Sequence, residues 1–179
     1  AFILVGAIVV ALALLIRQRR QLRIMALKDE LTDVPNRRSI LAYANQQLKR
    51  CRRKRQSLMI AVLDLDFFKQ INDNYGHLAG DYVLQKLAKL AQSCIRTEDV
   101  FARYGGEEFA IICRGIPLIN AGIMGERIRT MVEQSPFEFE AKRLPVTISV
   151  GVAALPESNA DSALALIQSA DNALYEAKR

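Results

Sequence analysis

Two pairs of acids, Asp64 with Asp66 and Glu107 with Glu108, sit at the ends of strand-like apolar runs. Carboxylates brought to one point repel unless a cation lies between them. If the turn that carries Glu107 lies beside the strand that runs into Asp64, the two acids converge. Two or three oxygens, completed by water and phosphate oxygens, suit Mg²⁺ better than a full protein cage would. Gly105-Gly106 stands immediately before Glu107, and paired glycines free the backbone for a tight turn and for close approach of a ligand. The plainer reading, acids in polar turns, is the common fate of a single Asp or Glu; the glycines at a strand end favour a site.

Between the two pairs lies the stretch Phe67-Phe68-Lys69-Gln70-Ile71-Asn72, continuing to His77, Gly80 and Asp81. It follows a buried strand, as phosphate-binding turns do, and its backbone N–H groups are candidates to hold phosphate oxygens. Asn72 and Asp81 offer the amide and carboxylate needed to read a guanine edge, because an Asp that accepts from two N–H groups on a purine rejects adenine, which lacks the 2-amino group. Taken singly, Asn72 caps a turn and Asp81 charges a helix start. His77 is the one histidine, so metal sites built on several histidines are excluded, and its default role is a buried or turn-capping one. Cys51, Cys94 and Cys113 are odd in number and lack C-x-x-C spacing, which excludes a disulfide scaffold or a zinc ribbon.

The elements that must position these residues follow from periodicity. Leu58 to Leu63 is a continuous apolar run of strand length, expected in a central strand buried on both faces. Asn36 to Arg55 reads as a helix with Ile40, Leu41, Ala44 and Leu48 on one face. Leu78 to Ile95 reads as a second helix, through Leu84, Leu87, Ala88 and Ala91. Val100–Tyr104 and Phe109–Cys113 flank Gly105-Gly106-Glu107-Glu108 as a hairpin. A helix around Ala121–Val132, a strand over Thr147–Val152 and a last helix over Ala163–Ala177 complete the pattern. Strands interleave with helices, so the expected fold is α/β: a mixed central β-sheet flanked by helices. No internal repeat is visible.

With 179 residues, 51% of them hydrophobic, the chain suits one ordinary domain with a real core. Its net charge of +6 hints at nucleic acid, but Arg17, Arg19, Arg20, Arg23 and Lys28 all precede the first acid, Asp29. Setting these five aside leaves 20 basic residues against 19 acidic ones, a net of +1. The body is nearly neutral, and no nucleic-acid partner is expected. The one local excess is Lys49 to Arg55, six basic residues in seven. It reads as a solvated helix end suited to the C-terminal macrodipole, with a phosphate or membrane contact as the other reading. Residues 1–16 are apolar throughout, and Arg17-Gln18-Arg19-Arg20 follows them. Charges after the apolar run, rather than before it, fit a transmembrane helix with its C-terminal side cytoplasmic, not a signal peptide. Sixteen residues are slightly short of a span, and the missing initiator Met suggests that part of it lies upstream. The expected organisation is thus a truncated transmembrane helix over 1–16, a basic juxtamembrane connector helix over 17–28 with a narrow apolar seam, and a catalytic domain over 29–179, placed as a single-pass protein at the cell inner membrane.

Five separated segments, in order, resemble the GGDEF domain, the diguanylate cyclase family. They are Asp29-Glu30-Leu31-Thr32 with Pro35-Asn36-Arg37-Arg38; Asp64 to Asp81; Arg103-Tyr104-Gly105-Gly106-Glu107-Glu108-Phe109; Thr147-Ile148-Ser149-Val150-Gly151; and Ala170-Asp171 with Ala173-Leu174-Tyr175 and Ala177-Lys178. The resemblance implies a polymerase-palm-like, nucleotide-cyclase-like sheet and the Mg²⁺-dependent condensation of two GTP into cyclic di-GMP and pyrophosphate, with Mn²⁺ as a substitute metal, in a homodimer. It implies Asp64, Glu107 and the backbone carbonyl of Leu65 as metal ligands, and Glu107 also as the base for the attacking 3′-hydroxyl. Phe67, Phe68 and Lys69 would meet phosphates, Lys69 also as a catalytic cation. Asn72 and Asp81 would read guanine, His77 would lie nearby, Gly105 and Gly106 would line the site, and Lys178 would contact phosphate. Arg96-Thr97-Glu98-Asp99 has the spacing of the family's inhibitory site, where Arg96 and Asp99 bind cyclic di-GMP. Glu107 stands where Asp is usual, keeping the carboxylate, and Asp33-Val34 stands where Gly-Leu is usual. The alternative reading is a catalytically silent domain acting as a GTP or cyclic di-GMP receptor.

Overall fold

The computed structural model describes Leu14, Arg17, residues 27–158 and residues 160–179. The expected membrane helix and connector fall outside these residues apart from Leu14, Arg17, Leu27 and Lys28. Among the described residues no helix is long and apolar enough to cross a membrane.

The elements run α1 (Arg37–Lys54), β1 (Leu58–Leu65), α2 (Phe68–Tyr75), α3 (His77–Cys94), β2 (Val100–Arg103), β3 (Glu108–Arg114), α4 (Leu118–Gln134), the short hairpin β4 (Glu138–Phe139) and β5 (Lys142–Arg143), β6 (Ile148–Leu155), and α5 (Ala163–Ala177). Asn36 caps α1 by accepting from the Ser39 N–H, and Ser162 caps α5 by accepting from that of Ala165. Both are favoured cap types at helix starts.

The main sheet has the order β2-β3-β1-β6, and every neighbouring pair is antiparallel. The expectation of a mixed sheet is therefore corrected. β3 and β6 do point the same way, joined by a crossover through α4, but β1 lies between them. Interleaved strands and helices suggest parallel neighbours, whereas a split βαβ unit keeps the alternation and makes each contact antiparallel.

β1 is buried along its length, with alternate residues feeding two cores. Met59, Ala61, Leu63 and Leu65 face the cluster built with α3 and α4, through Leu87 and Ile128, which Phe109 of β3 joins. Leu58, Ile60 and Val62 face α1 and α5, through Ile40, Ala44, Leu166 and Ile167. At the β6–α5 contact a side chain on Gly151 would strike the backbone of Ala170 and Leu174, so glycine lets α5 lie flat against the strand.

Residues 67–81 hold a helix that the periodicity does not reveal. α2 covers only two turns: it buries Phe68 and Ile71 and packs a half-buried Tyr75 against the core, while Asn72, Asp73 and Asn74 are weak helix formers. Asp33, at the usual glycine position, has φ 56° and bonds Lys28 Nζ at 2.6 Å, while Val34 is fully buried. Asp is among the few residues that visit the left-handed region at modest cost, so the turn survives the change.

Candidate active site

β1 delivers Asp64 to one end of the sheet, where it pairs in register with Glu108 on β3 and Ser149 on β6. The turn before β3 is tied back on itself: the Glu108 carbonyl accepts from the N–H of Tyr104 at 2.8 Å and of Gly105 at 3.1 Å. The Glu107 carbonyl accepts from the Leu65 N–H at 3.4 Å, which places Glu107 beside the end of β1. A side chain on Gly105 would collide with the Glu108 carboxylate, whereas Gly106 faces open space. The first glycine thus lets the Glu108 carboxylate fold close over the turn, where a side chain would push it aside.

Asp64 and Glu107 converge as the spacing anticipated. Burial raises the Glu107 pKa, and the Asp64 charge raises it further; Lys178 opposes both. Glu108 is raised in the same way, by burial and then by Asp64 and Asp171. Burial alone raises Asp171. Asp64 thus lies within electrostatic reach of both Glu107 and Glu108, and Asp171 within reach of Glu108, so two acids beyond those assigned from sequence border the site. Glu108 was legible as a neighbour of Glu107, but Asp171 lies on α5 and only packing brings it in. Lys178 donates to Asp64 Oδ1 at 2.6 Å across 114 positions of sequence.

Among the described residues no group of three or more His, Cys, Asp or Glu side chains has the geometry of a metal cage. Two convergent carboxylates with a cation already drawn to one of them fit a Mg²⁺ ion whose remaining ligands come from substrate phosphates and water. The Leu65 side chain is buried in the core, so Leu65 can serve such an ion only through its backbone.

Asp66, two residues on from Asp64, does something else. Its carboxylate accepts from Thr147 Oγ1 at 2.8 Å and Ser149 Oγ at 2.7 Å, which clamps β6 to the end of β1.

The phosphate and base residues lie on the next two helices. Phe67 has φ 54° and starts α2 without a side-chain cap. Phe68 is buried, so only its backbone is available to a ligand, while Lys69 is exposed beside it. A side chain on Gly80 would collide with the Asn72 amide, which therefore lies against α3 one residue before Asp81. Gly80 is a positioning residue that the sequence reading passed over. Its signal was a glycine in the first turn of a helix. His77 is exposed at the start of α3 and does not enter the acid cluster.

A brace holds the turn from behind. Arg103 Nη1 donates to both Asp29 oxygens at 3.0 and 3.1 Å, and its Nη2 and Nε donate to the Gly106 carbonyl at 2.7 and 3.2 Å. Burial works against the Asp29 carboxylate, but hydrogen bonds from Thr32 and Arg103 outweigh it and hold its pKa below the ordinary value.

Arg96 and Asp99 stand apart from the acids. The Arg96 N–H donates to Asp99 Oδ2 at 3.1 Å, and the Asp99 N–H to the Arg96 carbonyl at 3.1 Å, forming a closed turn before β2. A cavity of about 360 Å³ opens there, lined by Arg96, Asp99, Asn120, Ile123 and Arg127. The length of β2 separates it from Glu107, roughly 13 Å at strand rise. The three cysteines are buried and unpaired, and burial raises their pKa values, so none is poised as a thiolate.

The family profile described as diguanylate cyclase, GGDEF domain, matches residues 26–179. Diguanylate cyclase A of Treponema denticola is 44% identical over 126 residues, covering 70% of this chain and 34% of that protein. Diguanylate cyclase DgcP of Pseudomonas aeruginosa is 40% identical over 154 residues, covering 86% of this chain and 23% of its own length. The chain spans about a third or less of these relatives. Among solved structures, the coiled coil and GGDEF domain of DgcB from Caulobacter crescentus, in complex with c-di-GMP, superimposes with a TM-score of 0.90 at 27% identity, covering 98% of this chain and 92% of that one.

Proposed function

The chain belongs to the GGDEF family, and on that premise we propose that it is a diguanylate cyclase, condensing two GTP into cyclic di-GMP with release of pyrophosphate. The observation that carries this reading is the meeting of Asp64 and Glu107 at one sheet end with Lys178 bonded to Asp64. A pure receptor has no need of that costly arrangement of like charges.

In this reading Asp64, Glu107 and the Leu65 carbonyl hold Mg²⁺, with Mn²⁺ as a substitute. The ion supplies charge stabilisation at the α-phosphate and on the leaving pyrophosphate. The N–H groups of Phe67, Phe68 and Lys69, with the ammonium groups of Lys69 and Lys178, orient the triphosphate. Asn72 and Asp81 take the guanine edge, with His77 at the rim and Gly105-Gly106 admitting the nucleotide close to the backbone. Glu107 accepts the proton of the attacking 3′-hydroxyl. The new bond joins that 3′-oxygen to the α-phosphorus of the other nucleotide. The bond to the β-phosphate oxygen breaks, and pyrophosphate leaves. The reaction runs twice to close the ring.

One site holds one GTP, so two copies must face each other about a two-fold axis. The apolar run at 1–16 and its basic flank support an inner-membrane anchor that would concentrate the copies. Arg96 and Asp99 form the site at which cyclic di-GMP inhibits.

The test is chromatographic analysis of nucleotides after incubating the purified chain with GTP and Mg²⁺. One cyclic di-GMP and two pyrophosphates should appear for each two GTP consumed, with specific activity falling on dilution. GTP recovered intact from folded, dimeric protein refutes the assignment.

A further inference from the structure

The end of β1 remote from the acids carries an unexplained surface. Lys49, Arg50, Arg52, Arg53, Lys54 and Arg55 close α1, and all six are exposed. None of them forms a salt bridge among the described residues; Arg52 donates only to the carbonyls of Asp161 and Ala160. A helix C-terminus accounts for cations in its last turn, but six that form no salt bridge among the described residues, with Asp161 met only at its carbonyl, exceed what the macrodipole needs.

Two further features sit with them. A recess of about 420 Å³ is lined by Cys51, Arg52, Arg55, Gln56, Ser57, Leu155 and Pro156. Beside it Arg114, in register with Leu58, has its Nε buried without a hydrogen-bond partner. Arg50 and Arg114 both lie within electrostatic reach of the Cys51 thiol, so Arg114 backs the same patch from the sheet side.

This surface cannot guide GTP to the acids. Leu58 follows Arg55 by three residues, and β1 then runs eight residues to the other end, about 24 Å at strand rise. The partner must be an anion met from outside. No aromatic residue is interleaved in Lys49–Arg55 to stack a base, which disfavours single-stranded nucleic acid. Exposed, mixed Lys and Arg without a reading groove suit a plane of phosphate groups.

We propose that the basic end of α1 docks on anionic lipid headgroups. The proposal is independent of the cyclase chemistry, and it draws on the membrane reading of residues 1–16 only for reach. Residues 17–26 extended span at most about 35 Å. α1 is about 27 Å long, so its basic end can reach the surface that would hold the apolar run.

The full chain is mixed with vesicles of phosphatidylcholine alone or of phosphatidylcholine with phosphatidylglycerol, and amine acylation of Lys49 and Lys54 is followed by mass spectrometry. Lys89 and Lys142, both exposed elsewhere, serve as internal references. Phosphatidylglycerol should slow labelling of Lys49 and Lys54 about fivefold or more, the factor that one cation near an anionic surface is worth. High salt should restore it, and Arg50→Glu with Arg53→Glu should abolish the protection while the reference lysines keep their rates. Sedimentation with phosphatidylcholine alone reports the anchor separately. If the chain does not bind neutral vesicles, the docking proposal still requires protection on the charged ones. Equal labelling in both lipids overturns it, as does protection by RNA with none by phosphatidylglycerol.

Discussion

The two ends of β1 carry opposite charge under opposite conditions. At the Asp64 end acids from three parts of the chain lie within electrostatic reach of one another, and cations stand among them: Lys178 bonds Asp64, Arg37 acts on Glu108, and Arg103 behind the turn clasps Asp29 and the Gly106 carbonyl. At the Leu58 end six cations at one helix end are exposed and form no salt bridge among the described residues. Like charges forced together by packing weaken the fold and persist where a ligand needs them. Like charges spread over a solvated helix end weaken it little and stay free for an outside partner.

Replacements at the two ends should therefore differ in kind and in size. The largest effect is expected from Glu107→Gln, which keeps the shape and removes the charge. Product formation should fall by about 100-fold or more. Because the Glu107 pKa is raised in the folded chain, its charged form opposes folding once the pH exceeds the ordinary carboxylate value. Glu107→Gln should thus match or exceed the parent in urea stability at neutral pH and show no advantage at acid pH. A folded variant with parental turnover would falsify the site.

Asp66→Ala should act on stability instead. Loss of the bonds to Thr147 and Ser149 leaves two half-buried hydroxyls unpaired, a cost of about 2 kcal/mol in urea unfolding. A cost below about 0.5 kcal/mol would mean that Asp66 is not the clamp between β1 and β6.

Asp29→Asn tests the brace behind the turn. Since the Asp29 pKa is lowered, its contribution is present above the unfolded value near 3.9 and is lost as pH falls through the folded one. The variant should lose about 1 kcal/mol at neutral pH and nothing in strong acid. A pH-independent loss would remove the charge from the explanation.

The smallest effect belongs to the far end. Arg53→Ala with Lys54→Ala should move the urea midpoint by less than about 0.5 kcal/mol and leave turnover in detergent-free solution unchanged. A larger loss would show that the basic run is held by contacts within the fold, and the contrast between the two ends would fail.

Much of this was legible in the sequence because local pattern carries it. The unbroken apolar run into Asp64 marks a buried strand, the paired glycines before Glu107 mark its turn, and helical spacing marks α1, α3, α4 and α5. The Asp64–Glu107 meeting was legible once the hairpin was placed beside β1. α2 was not, because Phe68, Ile71 and Tyr75, although at helical spacing, span only two turns, and the run Asn72-Asp73-Asn74 between them reads as a turn. The wholly antiparallel sheet was not, because the order of strands along the chain leaves open which strand lies between β3 and β6.

The sequence by itself determined the elements, the residue types of the site and the basic run after Gln47-Leu48. Each of these depends on neighbours within a few turns of chain, where spacing alone fixes which face a side chain takes. Only the tertiary structure decided that Asp64 faces the site while Asp66 clamps β6, that Asp171 joins the acids, that Gly80 seats Asn72, and that Lys178 closes on Asp64 from 114 residues away. Those outcomes depend on which faces pack together, and that is settled by the two cores on either side of β1, whose many small contacts no local pattern contains.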